Sequence, residues 1–181
     1  MNAPCIYLDP VAQPTAEQLP YLPRLTLGAS PRIACFPNLF TDSAPFLADL
    51  AEALTPLLPD ASFPYFDKQF GRYMSTPATQ ELRAEIKAAA DAVILAYGHC
   101  GSCTSGVVHD GVLLAHGGKQ VCDLVTARSR DEALFLAKAL GLPEMPFVFL
   151  PHPVAGRTAD WHQELADKIA DDVMRALKTG A

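Results

Sequence analysis

Asp91-Ala-Val-Ile-Leu-Ala-Tyr-Gly-His-Cys-Gly-Ser-Cys-Thr-Ser-Gly106 is the stretch whose reading decides the fold. Its first half, Ala92 to Tyr97, is an unbroken apolar run of strand length, as expected for a strand covered on both faces. Its second half is a turn rich in Gly, Ser and Cys, followed by a helical stretch from about Val107 to His116 that Gly117-Gly118 closes. A strand, a tight turn and a helix in that order are half of a parallel βαβ unit.

The flanking sequence repeats this alternation. Upstream, Arg32 to Phe36 is an apolar strand between two prolines, Asp42 opens a helix to about Leu58, Ala61 to Phe66 is a weaker strand, and Thr76 starts a helix to Ala90. Downstream, Lys119 to Thr126 is a strand, Asp131 to Leu140 a helix, Phe147 to Leu150 a strand, and Ala159 to about Leu177 a long amphipathic helix. The expected fold is therefore α/β, a three-layer, doubly wound, mostly parallel five-stranded sheet of Rossmann-like or flavodoxin-like type. Residues 1–31 carry six prolines and read as an irregular arm ahead of a single domain over residues 32–181.

Composition narrows the function classes. Half of the 181 residues are hydrophobic and 19% are charged, which excludes a disordered chain. A net charge of -6 argues against a nucleic-acid surface. No apolar run approaches a membrane span and no signal-like segment begins the sequence, so a cytoplasmic protein is expected. Five cysteines are an odd number and a low density, so a secreted disulfide framework is excluded.

Doubly wound sheets bind ligands at the carboxyl ends of their strands, where the strand order reverses. With the order 2-1-3-4-5, the Cys100-Gly-Ser-Cys103 turn faces that crevice between the first and third strands. A cysteine there meets the positive end of the next helix and its free N–H groups, which favours the thiolate. Cys100 and Cys103 are thus the candidate nucleophiles, and His99, His109 and His152 the candidate proton donors. Ser102, Thr104 and Ser105 are placed to cap the helix or to bind a developing anion. Asn38 and Lys68 end the first and second strands and are further candidates for holding substrate. Arg72 and Tyr73, in the polar stretch before Thr76, could reach an anionic substrate, although nothing in the sequence requires it. Cys35 and Cys122 lie among apolar neighbours and read as core, Cys5 as incidental to the arm, and His116 and His162 as surface residues.

Along Gly98-His-Cys-Gly-Ser-Cys-Thr-Ser-Gly-Val-Val-His-Asp110 the sequence resembles the UGSC-motif family, named for selenocysteine or cysteine followed by Gly-Ser-Cys. The likeness extends from Leu8-Asp9-Pro10 through Asn38 and Gly141-Leu-Pro143 to Pro151-His-Pro153. Members of that family are similar to part of the selenoprotein B component of glycine and betaine reductases. The resemblance implies that Cys100 occupies the selenocysteine position and that Cys103 is its partner thiol. Two positions depart from the pattern: His99 stands where an Asp is expected, and Gly106 where many members carry a third cysteine. The first alters the local charge and the second removes a resolving thiol, so no particular reaction is carried over.

The leading expectation is a thiol-dependent enzyme that acts on a small molecule by reductive cleavage or thiol–disulfide chemistry. Cys100 would attack, Cys103 would resolve, and a protein or low-molecular-weight thiol would restore the pair. One alternative is cofactor-independent proton transfer on a small carboxylate, as in racemases and decarboxylases that use cysteine as acid and base. Another is a metal module built from Cys100, Cys103, His109 and His152, although a single Cys-x-x-Cys is a weak zinc signal. No flavin or dinucleotide cofactor is expected, because no Gly-x-Gly-x-x-Gly follows the first strand. The modest length leads to the expectation of a homodimer, with the site completed by a second subunit.

Overall fold

The structure is a computed structural model and describes residues 16–21, 28–68 and 77–179. Cys5, Arg72, Tyr73 and most of the proline-rich arm lie outside the described residues. Four strands, β1 (Ile33–Pro37), β2 (Ala92–Gly98), β3 (Gln120–Thr126) and β4 (Phe147–Leu150), form a parallel sheet in the order β1-β2-β3-β4. Every residue of β2 and β3 is buried, which is why both read as apolar runs rather than alternating patterns.

The sheet has four strands, not the expected five. Residues 61–66 run parallel along the outer edge of β1 but make only two isolated bridges, Arg32 to Ser62 and Cys35 to Tyr65. The β1 amides of Ile33 and Cys35 donate to the carbonyls of Ser62 and Pro64, both at 2.8 Å. Pro64 has no N–H to return, so the ladder is not regular enough to make a strand. In space the segment still takes the outer place, and the sequence-order pattern 2-1-3-4-5 survives with its first member irregular.

Helices α1 (Ser43–Leu54) and α5 (Ala159–Thr179) cover one face of the sheet, meeting Ile33, Ile94, Cys122 and Leu124. Helices α2 (Gln80–Ala89), α3 (Gly101–His116) and α4 (Arg130–Ala139) cover the other, over Phe36, Val93, Leu95 and Val121. Helix α1 ends four residues before the expected Leu58, and α2 starts at Gln80 behind Thr79, whose hydroxyl accepts from the Leu82 amide at 3.2 Å. Helix α3 approaches β3 closely because Gly111 has no side chain: a Cβ there would run into the Asp123 carboxylate and Met145. Tyr21, from the described part of the arm, caps the free start of β3, its hydroxyl accepting from the Val121 amide at 3.0 Å. No helix among the described residues is long and apolar enough to cross a membrane.

Candidate active site

Helix α3 begins at Gly101, six residues earlier than expected, so the Cys-Gly-Ser-Cys segment is its first turn and not a loop. The cause is local capping. Cys100 is the N-cap, with extended backbone (φ -121°, ψ 173°), and its sulfur accepts from the Cys103 amide at 3.4 Å. The Thr104 amide donates to the Cys100 carbonyl at 2.9 Å and closes the first helical turn. A sulfur therefore does what Ser or Asp usually does at this position, which kept the helix start hidden in the sequence.

This geometry also brings the two thiols together. Cys100 and Cys103 lie at disulfide distance, with Cα atoms 5.2 Å apart. Cys100 is exposed and Cys103 fully buried, so one sulfur meets solvent and the other lies behind it. Cys35 and Cys122 are the free thiols among the described residues, and both are buried. Burial pushes the Cys35 thiol up to about 12, and that of Cys122 well above its ordinary range, so neither is primed to attack.

Cys100 opens onto a cleft of about 500 Å³ across the carboxyl ends of β2, β3 and β4. His99 and His152 form one wall, with ring centroids 4.5 Å apart and planes inclined by 33°. Burial lowers the His99 pKa; the neighbouring His152 and Arg128 lower it further, while Asp42 opposes them. His152 is steadied by Thr126, whose hydroxyl lies 3.3 Å from Nδ1. Arg128, Ser129 and Glu132 also line the cleft. Burial raises the Glu132 pKa, making its carboxyl a readier proton carrier than an exposed one.

The cleft lies one strand away from the expected crevice between β1 and β2. That place is filled: Asn38 donates from Nδ2 to the Tyr97 carbonyl at 2.6 Å, and the Phe40 ring packs on Tyr97 and His99 at 5.7 and 5.4 Å. Arg128, Ser129 and Glu132 were not anticipated. Their signal was positional, since they directly follow the end of β3, a strand end as eligible as the others under the carboxyl-end rule.

The remaining expected residues divide. Ser102 stays with the pair, its hydroxyl 3.4 Å from the Cys100 sulfur. Thr104 is buried under the first turn, with its hydroxyl unpartnered among the described residues. Ser105 and His109 turn to each other, the His109 Nδ1 lying 2.8 Å from the Ser105 carbonyl, so the structure does not bring His109 to the cleft. Nor does it bring Asn38, which serves the turn after β1, or Lys68, which is buried in an ion pair with Asp110 at 2.7 Å. His162 is buried rather than on the surface, 3.0 Å from the Val154 carbonyl through Nε2. Among the described residues, no group of three or more His, Cys, Asp or Glu side chains is arranged to hold a metal ion.

The fold and the cleft define a doubly wound α/β protein with a Cys-x-x-Cys pair on the first turn of the helix after its central strand. The chain belongs to the UGSC family, whose family model matches residues 6–179. No curated protein matches it. Among solved structures, a flavone reductase is similar at 12% identity and a TM-score of 0.49, over 82% of this chain and 63% of that one. The chain thus spans less than two thirds of that enzyme's length. A flavodoxin-like domain from Synechococcus sp is similar at 11% identity and a TM-score of 0.43, over 80% of this chain and 99% of that one. A short-chain flavodoxin associated with a non-canonical PDU bacterial microcompartment is similar at 11% identity and a TM-score of 0.43, over 82% of this chain and 98% of that one. Likenesses this distant carry no argument about chemistry.

Proposed function

We propose that the cleft is a two-electron thiol site in which Cys100 attacks a small disulfide or similarly reducible substrate and Cys103 resolves the intermediate. The supporting observation is the pairing of an exposed Cys100 with a buried Cys103 at disulfide distance on the first turn of α3. In the reduced protein the Cys103 amide and the helix N-terminus favour a thiolate on Cys100.

The chemistry balances as follows for a disulfide substrate. The Cys100 thiolate attacks one substrate sulfur, forms a mixed disulfide and releases the other sulfur as a thiolate, which takes the proton that the Cys100 thiol passed to the His99–His152 wall on ionising. Cys103 attacks the Cys100 sulfur, the mixed disulfide breaks, and the second substrate sulfur departs with the proton that the Cys103 thiol gives up. The substrate gains two electrons and two protons, and the protein is left with the Cys100–Cys103 disulfide. A protein or low-molecular-weight dithiol reverses the protein half of the exchange.

The test is trapping with oxidised glutathione and bis(2-hydroxyethyl) disulfide, read by intact mass. Cys103→Ser should accumulate a mixed disulfide on Cys100, and Cys100→Ser should form none. Full turnover by Cys100→Ser, or equal trapping in both variants, would sink the proposal. Proton exchange from deuterated water into a small carboxylate without any reductant would favour acid–base chemistry at the same cysteines.

A further inference from the structure

Asp42 occupies the N-cap of α1, where an Asp ordinarily accepts from the first-turn amides of its own helix. Here it makes no such bond. Its two oxygens reach elsewhere: Oδ1 accepts from the Tyr97 hydroxyl at 2.5 Å, and Oδ2 from the Gly156 amide at 2.8 Å. Tyr97 is near the end of β2, two residues before His99, and Gly156 is four residues after His152. One carboxylate therefore ties together the two segments that carry the facing imidazoles.

The details suit a fixed bridge. Gly156 has φ +75°, in the left-handed region where glycine is favoured, and this conformation aims its amide at Asp42. Burial and the Asp42 carboxylate push the Tyr97 phenol up, so Tyr97 stays the donor. Burial alone would raise the Asp42 pKa, but the bonds from Tyr97 and Gly156 outweigh it and hold the carboxyl low, so Asp42 stays the acceptor. The Tyr97 ring lies 5.9 Å from that of His99, and Phe40 packs on both.

We infer that Asp42 is a positioning residue for the site, a clamp that holds His99 and His152 in register beside Cys100. The inference rests on the proposed thiol chemistry only for its consequence in catalysis, since the clamp itself is a matter of geometry. The charged and titratable groups facing this assembly are His152, Arg128 and Asp42 around His99, His162 beside Asp42, and Glu132 in the lining of the same cleft.

The experiment uses the full chain and three variants. Asp42→Asn keeps an acceptor for Tyr97 but presents an amide donor to the Gly156 N–H, breaking that arm of the clamp. Tyr97→Phe keeps the ring and removes the other arm. Asp49→Asn removes a charge from the same helix, also near His162, and serves as the control. The readouts are NMR cross-peaks between the His99 and His152 rings and the pH profile of Cys100–Cys103 reduction by dithiothreitol. Asp42→Asn should lose the inter-ring cross-peaks and shift the dithiothreitol pH profile; Tyr97→Phe should weaken the cross-peaks, and Asp49→Asn should leave cross-peaks and profile intact. If Asp42→Asn does not fold, Tyr97→Phe decides by the same readouts. Retention of the inter-ring signals in the folded clamp variants would overturn the inference. Loss of ring register with an unchanged dithiothreitol pH profile would leave the clamp standing and count against the histidines' part in the thiol chemistry.

Discussion

His99 and His152 face each other with ring centroids 4.5 Å apart, beside the disulfide and on the wall of the same cleft. Burial lowers the His99 pKa, and the neighbouring His152 ring lowers it further, because two imidazolium charges that close repel. His152→Ala removes both the neighbouring charge and part of the burial that hold His99 down. The His99 titration midpoint, followed by NMR, should therefore rise toward the ordinary histidine value of about 6.5. An unmoved midpoint would mean that the ring contact does not govern protonation. The linked effect on folding has a definite sign. With its native pKa lowered, His99 binds more proton in the unfolded chain, so stability is complete above the ordinary value and is lost as pH falls through the lowered one.

The unequal exposure of the paired thiols predicts an order of reaction. After reduction, iodoacetamide should label Cys100 well before Cys103, and should leave Cys35 and Cys122 unlabelled without denaturant. Peptide mass mapping over a time course reads this directly, and equal rates at Cys100 and Cys103 would contradict the geometry. The bridge closes a very short loop, so its loss by reduction should cost only about 2 kcal/mol of stability. That modest figure fits a pair that cycles better than one that holds the fold together.

Much of this arrangement was legible in the sequence, and the part that was not has identifiable causes. Ala92 to Tyr97 declared a buried central strand because it is apolar without alternation, and the Cys-x-x-Cys spacing marked the site because it follows that strand. The start of α3 was hidden because Gly101, Ser102 and Gly106 look like turn residues, and a cysteine sulfur is not the usual cap. The cleft wall at Arg128 and Glu132 depends on how α4 leans toward the Cys100 turn, and no local pattern encodes that. Lys68 was a candidate because it ends the second extended segment, yet its partner Asp110 lies far along the chain, and such pairings are invisible until the elements pack.

That ion pair carries its own prediction. Lys68 and Asp110 are both about 3% exposed, and Asp110 also accepts from the Ala78 amide at 2.6 Å. Removing only the lysine strands a buried carboxylate, so Lys68→Ala should lower stability by about 3–5 kcal/mol in urea denaturation. Lys68→Met combined with Asp110→Asn should recover a large part of that loss, because no unpaired charge remains. If the double variant is as unstable as the single one, the cost lies in packing and not in the lost pairing.

Asp123 is a different kind of buried acid. It is fully buried in β3 against Gly111 of α3, and neither oxygen has a hydrogen-bond partner among the described residues. Burial pushes its carboxyl well above the usual range, and the nearby Asp110 pushes it further, so the folded protein keeps a proton that the unfolded chain gives up. The sign follows from that difference. Stability from this group is fullest below the ordinary carboxylate value of about 3.9 and declines as pH rises toward the raised native value. Asp123→Asn keeps the shape and cannot ionise, so it removes this decline. Above the ordinary carboxylate value, the stability of the variant relative to the parent should climb as pH rises, because only the parent has a group that ionises more readily when unfolded. The slope is the measurement that matters, because the unpartnered amide adds an offset that does not depend on pH. Parallel urea-denaturation curves across that range would show that Asp123 is ionised in the folded protein, with a partner for its charge.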